Sequence, residues 1–342
     1  MAIIVPCAGR SSRFPGTRPK YLLTMPDGRL MIEHALDQYV SHYVDTHIVI
    51  LKEHDEQYGA SKALKKALPR DFVKIHILDE ETQGPADTVY QVTKNLPDDE
   101  PVFIKDCDSF FHAPLREDNH VCVADLRENL DVSKVASKSF VTQNEQGLIH
   151  NIVEKSVVSN YICVGGYGFE RAKDYNRAFD ELIYEGEEVF VSHVIRWLLA
   201  EQNFEACAVR NYVDVGTIKE FLDYSQKRQT IFCDLDGTLF YNQSKYFENS
   251  WGDEPEPILS AVNYMLDRQE EGATIIFATS RSDEYSEVTE RKLKELGFTP
   301  NVIYNLPHSP RVIVNDVTTT NPYPSAQALN VPRDDENFWS KL

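Results

Sequence analysis

The chain has no apolar run approaching the roughly 18 residues that a bilayer-spanning helix needs. Its opening, Met1–Cys7, is too short and lacks the basic start of a secretory leader. Positive charge is scarce as well: 35 Lys and Arg face 54 Asp and Glu, for a formal net charge of −19 and a pI near 4.9. That balance argues against nucleic acid and anionic membrane surfaces as partners, because either would demand a basic face. The cysteines, Cys7, Cys107, Cys122, Cys163, Cys207 and Cys233, lack the paired spacing of a zinc site or of a small disulfide scaffold. Most are embedded in apolar, strand-like runs, so buried, reduced thiols are expected. There is no repeat period and no low-complexity segment. Together these absences lead us to expect a soluble cytoplasmic protein.

A length of 342 residues suggests two domains, each able to bury a core. Against the acidic background, basic residues gather in one place. Behind the apolar run Ile3–Val5 come Ala8-Gly9, the hydroxyls Ser11 and Ser12, and then Arg10, Arg13, Arg18 and Lys20 in a single loop. This order suits a polyphosphate. Ala8 and Gly9 let the backbone approach an anion, free N–H groups near Ser11 and Ser12 face it, and Arg13 and Lys20 neutralise it.

Strand and helix signals alternate from there. Met31–His42 has helical spacing (Met31, Ala35, Leu36, Tyr39, Val40), Thr46–Leu51 and Val73–Leu78 read as strands, and Ala60–Leu68 reads as a helix between them. Such alternation predicts an α/β domain with a mostly parallel sheet covered on both faces, its ligands at the carboxyl ends of the strands. The strand Pro101–Lys105 runs into Asp106-Cys107-Asp108. A carboxylate just past a buried strand is poised to hold Mg²⁺ over phosphates.

The stretch MAIIVPCAGRSSRFPGTRPK, with its Pro19-Lys20 pair, resembles the opening of the sugar-nucleotide pyrophosphorylases, a nucleotidyltransferase family, although the loop here has fewer glycines. The resemblance implies a Rossmann-like nucleotidyltransferase domain and assigns roles to later segments. Gln83 and Gly84 would read the edge of the base, making a pyrimidine nucleotide (CTP, or UTP/dTTP) the favoured donor. Asp108 would bind Mg²⁺, with Asp106 able to share the task and Cys107 standing where Gly is common. In GLIHNIVEKSVVSNYICVGGYGFERA, Glu154 and Lys155 would hold the sugar phosphate and Gly166 would let the sugar approach the backbone. In RNYVDVGTIKEF, Asp214 would be the second metal ligand, converging with Asp108 because both are expected to follow strands of one parallel sheet. The implied reaction is attack of a sugar-phosphate oxygen on the α-phosphorus of a nucleoside triphosphate.

The polar stretch Leu222–Gln229 is taken as the domain break, giving domains 1–227 and 228–342. Beyond it, Asp234-Leu235-Asp236-Gly237-Thr238 at the end of a strand resembles the first motif of the haloacid dehalogenase superfamily of phosphatases. That resemblance implies a small α/β domain with a minimal cap around Tyr241–Pro257. Asp234 would be the nucleophile and Asp236 the acid–base, both beside a metal. Thr279, with Ser280 as alternative, would bind the phosphoryl group, and Asp316, after an expected strand Arg311–Val314, would complete the Mg²⁺ site. The superfamily's charge-balancing lysine has no clear counterpart. Lys292 and Lys294 fit helical spacing without function, which leaves His308 or Arg311 as substitutes. The segment after Asp316 reads as ordered loop.

The expected whole is a bifunctional enzyme making an activated sugar for a surface polysaccharide such as a capsule, with Mg²⁺, a nucleoside triphosphate and a sugar phosphate as partners and a homo-oligomer possible. The alternative is a phospho-alcohol cytidylyltransferase with a non-catalytic second domain.

Overall fold

The structure is a computed structural model and describes residues 1–39, 43–128, 135–182, 188–243, 251, 254–316 and 326–342. The chain divides into two compact units, Met1–Phe221 and Leu222–Leu342. Val40 of the first expected helix, most of the expected cap and the start of the segment after Asp316 lie outside the described residues. Among the described residues, no helix is long and apolar enough to cross a membrane.

The first unit runs β1 (Ala2–Cys7), α1 (Met31–Leu36), β2 (Asp45–Leu51), α2 (Lys52–Tyr58), α3 (Ala60–Ala67), β3 (Val73–Leu78), α4 (Pro85–Thr93) and β4 (Val102–Lys105). It continues with β5 (Ser109–His112), β6 (His120–Asp125), β7 (Ser139–Gln143), β8 (Ile149–Glu154), β9 (Tyr161–Phe169), α5 (Ala172–Glu181), α6 (Val191–Leu198), β10 (Glu205–Ala208) and β11 (Arg210–Asp214), and α7 (Ile218–Lys227) spans the division at Phe221. The main sheet has the order β10-β6-β9-β4-β1-β2-β3, with β7 and β8 attached beside β9. Strands β4, β1, β2 and β3 are mutually parallel, and β9 runs antiparallel between β4 and β6.

Period-two side chains divide this sheet between two cores. Val49 and Leu51 of β2 and Ile104 of β4 face a cluster that includes Ala86, Val89 and Ile195 from the helices α4 and α6. Ile48, Ile50 and Phe103 face the opposite cluster, with Ile32, Leu36 and Leu64 of α1 and α3. Runs of β-branched residues buried on both faces are what central strands of a covered parallel sheet require. The expected mixed α/β layering is therefore present.

The second unit is smaller. Its strands β12 (Thr230–Asp234), β13 (Thr274–Ala278) and β14 (Val302–Ile303) form a parallel sheet in that order, accompanied by α8 (Leu259–Glu270) and α9 (Ser286–Glu295). Cys233, Leu235, Phe240, Phe277 and Leu293 lie in its core. The expected strand Arg311–Val314 does not form. Residues 311–316 have no regular structure, and Val312 and Val314 are 82% and 91% exposed. Pro307 and Pro310 just upstream each remove a backbone donor, and the segment buries no apolar side chain that would fix it against the sheet. The polar stretch expected as a domain break is helical as far as Lys227.

A histidine pair joins β2 to β3. His47 Nδ1 and His76 Nε2 lie 2.9 Å apart with ring planes within 10°, an edge-to-edge hydrogen bond between imidazoles. Burial, then the neighbouring His76, pushes His47 down to about 4, and burial also lowers His76, with Lys74 adding to the effect. The unfolded chain therefore takes up a proton at His47 below about pH 6.5 that the folded chain refuses until about pH 4. The stabilising contribution is complete above that window and is lost as pH falls through it. Urea unfolding of His47→Gln should show a flatter fall in midpoint between those two pH values than the parent chain; an equally steep fall would remove His47 as the cause.

Candidate active site

The loop after β1 braces itself internally. Ser11 adopts a left-handed conformation (φ 51°), its carbonyl accepts from Phe14 N at 2.8 Å, and its hydroxyl accepts from Lys20 N at 3.1 Å. The hydroxyl of Ser11 is thus turned to loop geometry. Gly9 and Ser12 are exposed and Ala8 is buried. A side chain at Gly9 would meet no protein atom within 4 Å, so the space over it is open. Arg10 leans away to pair with Glu81.

Lys20 and Arg13 point at the turn after β4. Lys20 Nζ donates to Asp108 Oδ2 at 2.6 Å, and Arg13 Nη2 stands 3.6 Å from the same oxygen. Asp214, at the end of β11, comes to the other side of the same space and pairs with Lys138. The residue between them is Gly216. A Cβ there would lie 3.0 Å from Asp108 Oδ2, 3.0 Å from Asp214 Oδ1 and 3.5 Å from Arg13 Nη1. A side chain there would crowd both carboxylates, and the Gly216 N–H donates to Asp214 Oδ1 at 3.0 Å.

The route by which the two acids meet differs from expectation. They are not both at ends of one parallel sheet. Strand β11 pairs antiparallel with β5 in a separate two-stranded ribbon, in which Asp214 is opposite Ser109, and Val215 N donates to the Asp108 carbonyl at 2.9 Å.

Charge pairing sets the ionisation of the cluster. Burial alone would raise Asp108 and lower Lys20. Their mutual attraction outweighs burial, so Asp108, helped by Arg13, is held well below the usual carboxylate range and Lys20 lies above the usual ammonium range. Asp106 is pushed up to about 6 by burial and then by Asp108, against the weaker opposing pull of Lys20 and Lys105. Among the described residues, no three His, Cys, Asp or Glu side chains group as a metal site. The two-carboxylate arrangement suits Mg²⁺, which takes few carboxylates and fills its shell with phosphate and water oxygens.

The other expected contact residues have protein neighbours of their own. Glu154 Oε1 accepts from Ser139 Oγ at 2.5 Å and from Ser192 Oγ, which ties β8 to β7 and α6. Lys155 Nζ lies 4.8 Å over the Phe190 ring. At Gly166 the place of a side chain is filled by Phe111 and Cys122, so this glycine serves strand packing. Gln83 is exposed, and its backbone bonds to Asp87 and Val189. Gly84, at φ 136°, is pressed against the Val189 backbone, where a Cβ would come within 2.6 Å of the carbonyl oxygen.

In the second unit, Asp234 is adjacent to Ala278 in the parallel register, so Thr279 follows on the neighbouring strand end. Asp234 is raised by burial against the opposing pull of Arg311, whose Nη2 is 3.4 Å from Oδ1. Both oxygens of Asp236 accept from the fully buried Arg281, at 2.9 and 2.7 Å, and Thr279 Oγ1 accepts from Arg281 N at 3.1 Å. Ser280 is half-buried. Asp316 is exposed on the stretch without a strand, so no strand end carries it towards Asp234.

Sequence reasoning missed Lys105, Lys138, Gly216 and Arg281. Lys105 left a signal: a lysine closing the apolar strand VFIK has no reason to be there unless its ammonium has buried partners. It is fully buried, is lowered to about 8 by burial, and donates to Asp106 O (2.7 Å), Ser109 O (2.6 Å) and Ser109 Oγ (3.0 Å), clamping the turn that presents Asp108. Lys105→Met strands those acceptors and should lower unfolding stability by about 1–3 kcal/mol in urea titration; an unchanged midpoint would mean that the turn holds itself.

Residues 3–118 match the family profile described as the MobA-like NTP transferase domain. No curated protein sequence matches the chain. Among solved structures, a nucleoside-diphosphate-sugar pyrophosphorylase from Vibrio cholerae RC9 aligns over 66% of this chain and 99% of its own, with TM-score 0.56 and 20% identity. The inositol-1-phosphate CTP transferase of T. maritima aligns over 64% and 90%, with TM-score 0.52 and 16% identity. A UDP-glucose pyrophosphorylase complexed with UDP-glucose aligns over 66% and 97%, with TM-score 0.52 and 15% identity. The chain thus carries the fold of these nucleotidyltransferases, and within it a MobA-like NTP transferase match that contains the basic loop and Asp108.

Proposed function

We propose that the first unit transfers a nucleotidyl group from a nucleoside triphosphate to a sugar phosphate and releases pyrophosphate. The observation that supports this reading is the meeting of Asp108 and Asp214 around the space left by Gly216, ringed by Arg13, Lys20 and Lys138. An oxygen of the acceptor phosphate attacks the α-phosphorus, forming a new P–O bond. The bond from that phosphorus to the bridging oxygen breaks, and pyrophosphate leaves with the electron pair. Such in-line transfer needs positioning and charge neutralisation more than proton transfer.

In this scheme Arg13 and Lys20 neutralise the triphosphate and the open face over Gly9 admits its backbone contacts. Asp108 and Asp214 are the residues that would hold Mg²⁺, the small space at Gly216 leaving room for it. Bound there, the ion would draw the donor and acceptor phosphates together and offset their charge. Gln83 and Gly84 remain the proposed base readers, with a pyrimidine favoured. Glu154 and Lys155 already have protein partners, so acceptor identity is open to cyclic polyol phosphates as well as sugars.

For the second unit the phosphatase reading narrows to Asp234 as nucleophile. Thr279 lies on the next strand end, and Arg311 takes the place of the absent lysine. Asp236 is committed to Arg281 and serves there as an anchor.

A grid of nucleoside triphosphates against sugar 1-phosphates and inositol 1-phosphate, with Mg²⁺ and scored by pyrophosphate release, tests the transfer. Asp108→Asn and Asp214→Asn should each lower kcat by roughly 100-fold on the productive pair, and full activity in either variant would sink the assignment. Asp234→Asn should abolish inorganic phosphate release from phosphosugars while leaving pyrophosphate release intact. Undiminished phosphate release would make the second unit a binding module.

A further inference from the structure

We infer that Lys138 is the acceptor-side cation of this site: its ammonium pairs with Asp214 and turns to the acceptor's phosphate once a divalent cation takes that carboxylate. The inference rests on the transfer reading above. Lys138 precedes β7, and its carbonyl accepts from Lys155 N at 3.0 Å, which pins the segment to the end of β8. Its side chain is only 17% exposed and ends on Asp214, whose other oxygen is engaged by Gly216 N.

The distribution of charge assigns the role. Transfer brings two phosphate groups into one space, the donor's triphosphate and the acceptor's monoester. Arg13 and Lys20, on the loop that would carry the triphosphate, both stand on the Asp108 side. Lys138 stands on the Asp214 side. Lys155, which the resemblance nominates for the acceptor, rests on the Phe190 ring instead. A carboxylate oxygen cannot hold an ammonium and a divalent cation at the same point, so loading the ion releases the Lys138 ammonium beside the incoming monoester. Asp108, then Glu220 and Asp106, also attract its ammonium, and Arg13 opposes it.

Two measurements on the full chain decide this. The first is binding of Mn²⁺ alone, followed by the electron paramagnetic resonance of free Mn²⁺. Lys138→Met removes the competing ammonium and should bind Mn²⁺ about fivefold more tightly than the parent. A side chain that merely supported the fold would give unchanged or weaker binding, and either result overturns the inference. The second is a kinetic split on the productive substrate pair. Lys138→Met should raise KM for the acceptor about tenfold, with KM for the triphosphate within about twofold, whereas Lys138→Arg should recover most of the acceptor KM. Lys138→Arg also covers the case in which the Met variant does not fold, because it should keep parent-like Mn²⁺ affinity. An acceptor KM that rises in Lys155→Met and not in the Lys138 variants overturns the inference alone, the ammonium having retreated to Glu220. Absence of turnover by the parent chain on every pair overturns the transfer reading and this inference with it.

Discussion

Two carboxylates do not stand close together in a half-buried space unless cations stand with them, and the first unit is arranged around that requirement. Asp108 and Asp214 face each other across a missing side chain at Gly216, and each has its own lysine. Without Lys20 and Arg13, burial would drive Asp108 towards its neutral form, as it does Asp106 two residues earlier. The difference between these neighbours in one turn is set by which of them the basic loop reaches. The charged state of Asp108 is thus a property of the loop, which in turn depends on Ser11 and Phe14 closing it.

The residue types of the loop and of both acids could be read from sequence because each lies just past a strand, where a side chain leaves the core. What could not be read was how the acids meet. The resemblance puts a strand end at Asp214 but says nothing of its neighbour, and the neighbour is β5 in a ribbon outside the main sheet. Pairing partners are set by tertiary packing, which no window of sequence contains. The same limit explains Glu154 and Lys155. A Glu-Lys pair carries no local mark of whether it faces a ligand or the protein, and here hydroxyls of β7 and α6 and the Phe190 ring take it up. Lys138 left no signal, since a lone lysine before a strand is ordinarily a solvated one.

The second unit shows the converse. Its opening motif is compact in sequence, and its local geometry follows: a parallel strand pair sets Asp234 beside the start of Thr279-Ser280-Arg281. Its long-range part does not follow, because the stretch up to Asp316 has no buried apolar face to hold it as a strand. Arg281 is fully buried, and its guanidinium bonds both oxygens of Asp236 and Thr289, which makes that group a structural junction.

The β5–β11 ribbon also sets a chronology. Its two strands are separated by nearly half of the first unit's length, so their pairing closes a long loop and carries a large entropic cost in the folding chain. During synthesis the basic loop, β4 and the turn with Asp108 emerge early and can pack into the nascent sheet, whereas Asp214 leaves the ribosome only when the unit is almost complete. Until then the charge-rich cleft lacks one wall, and the growing polypeptide carries Asp108 and its cations without the second carboxylate.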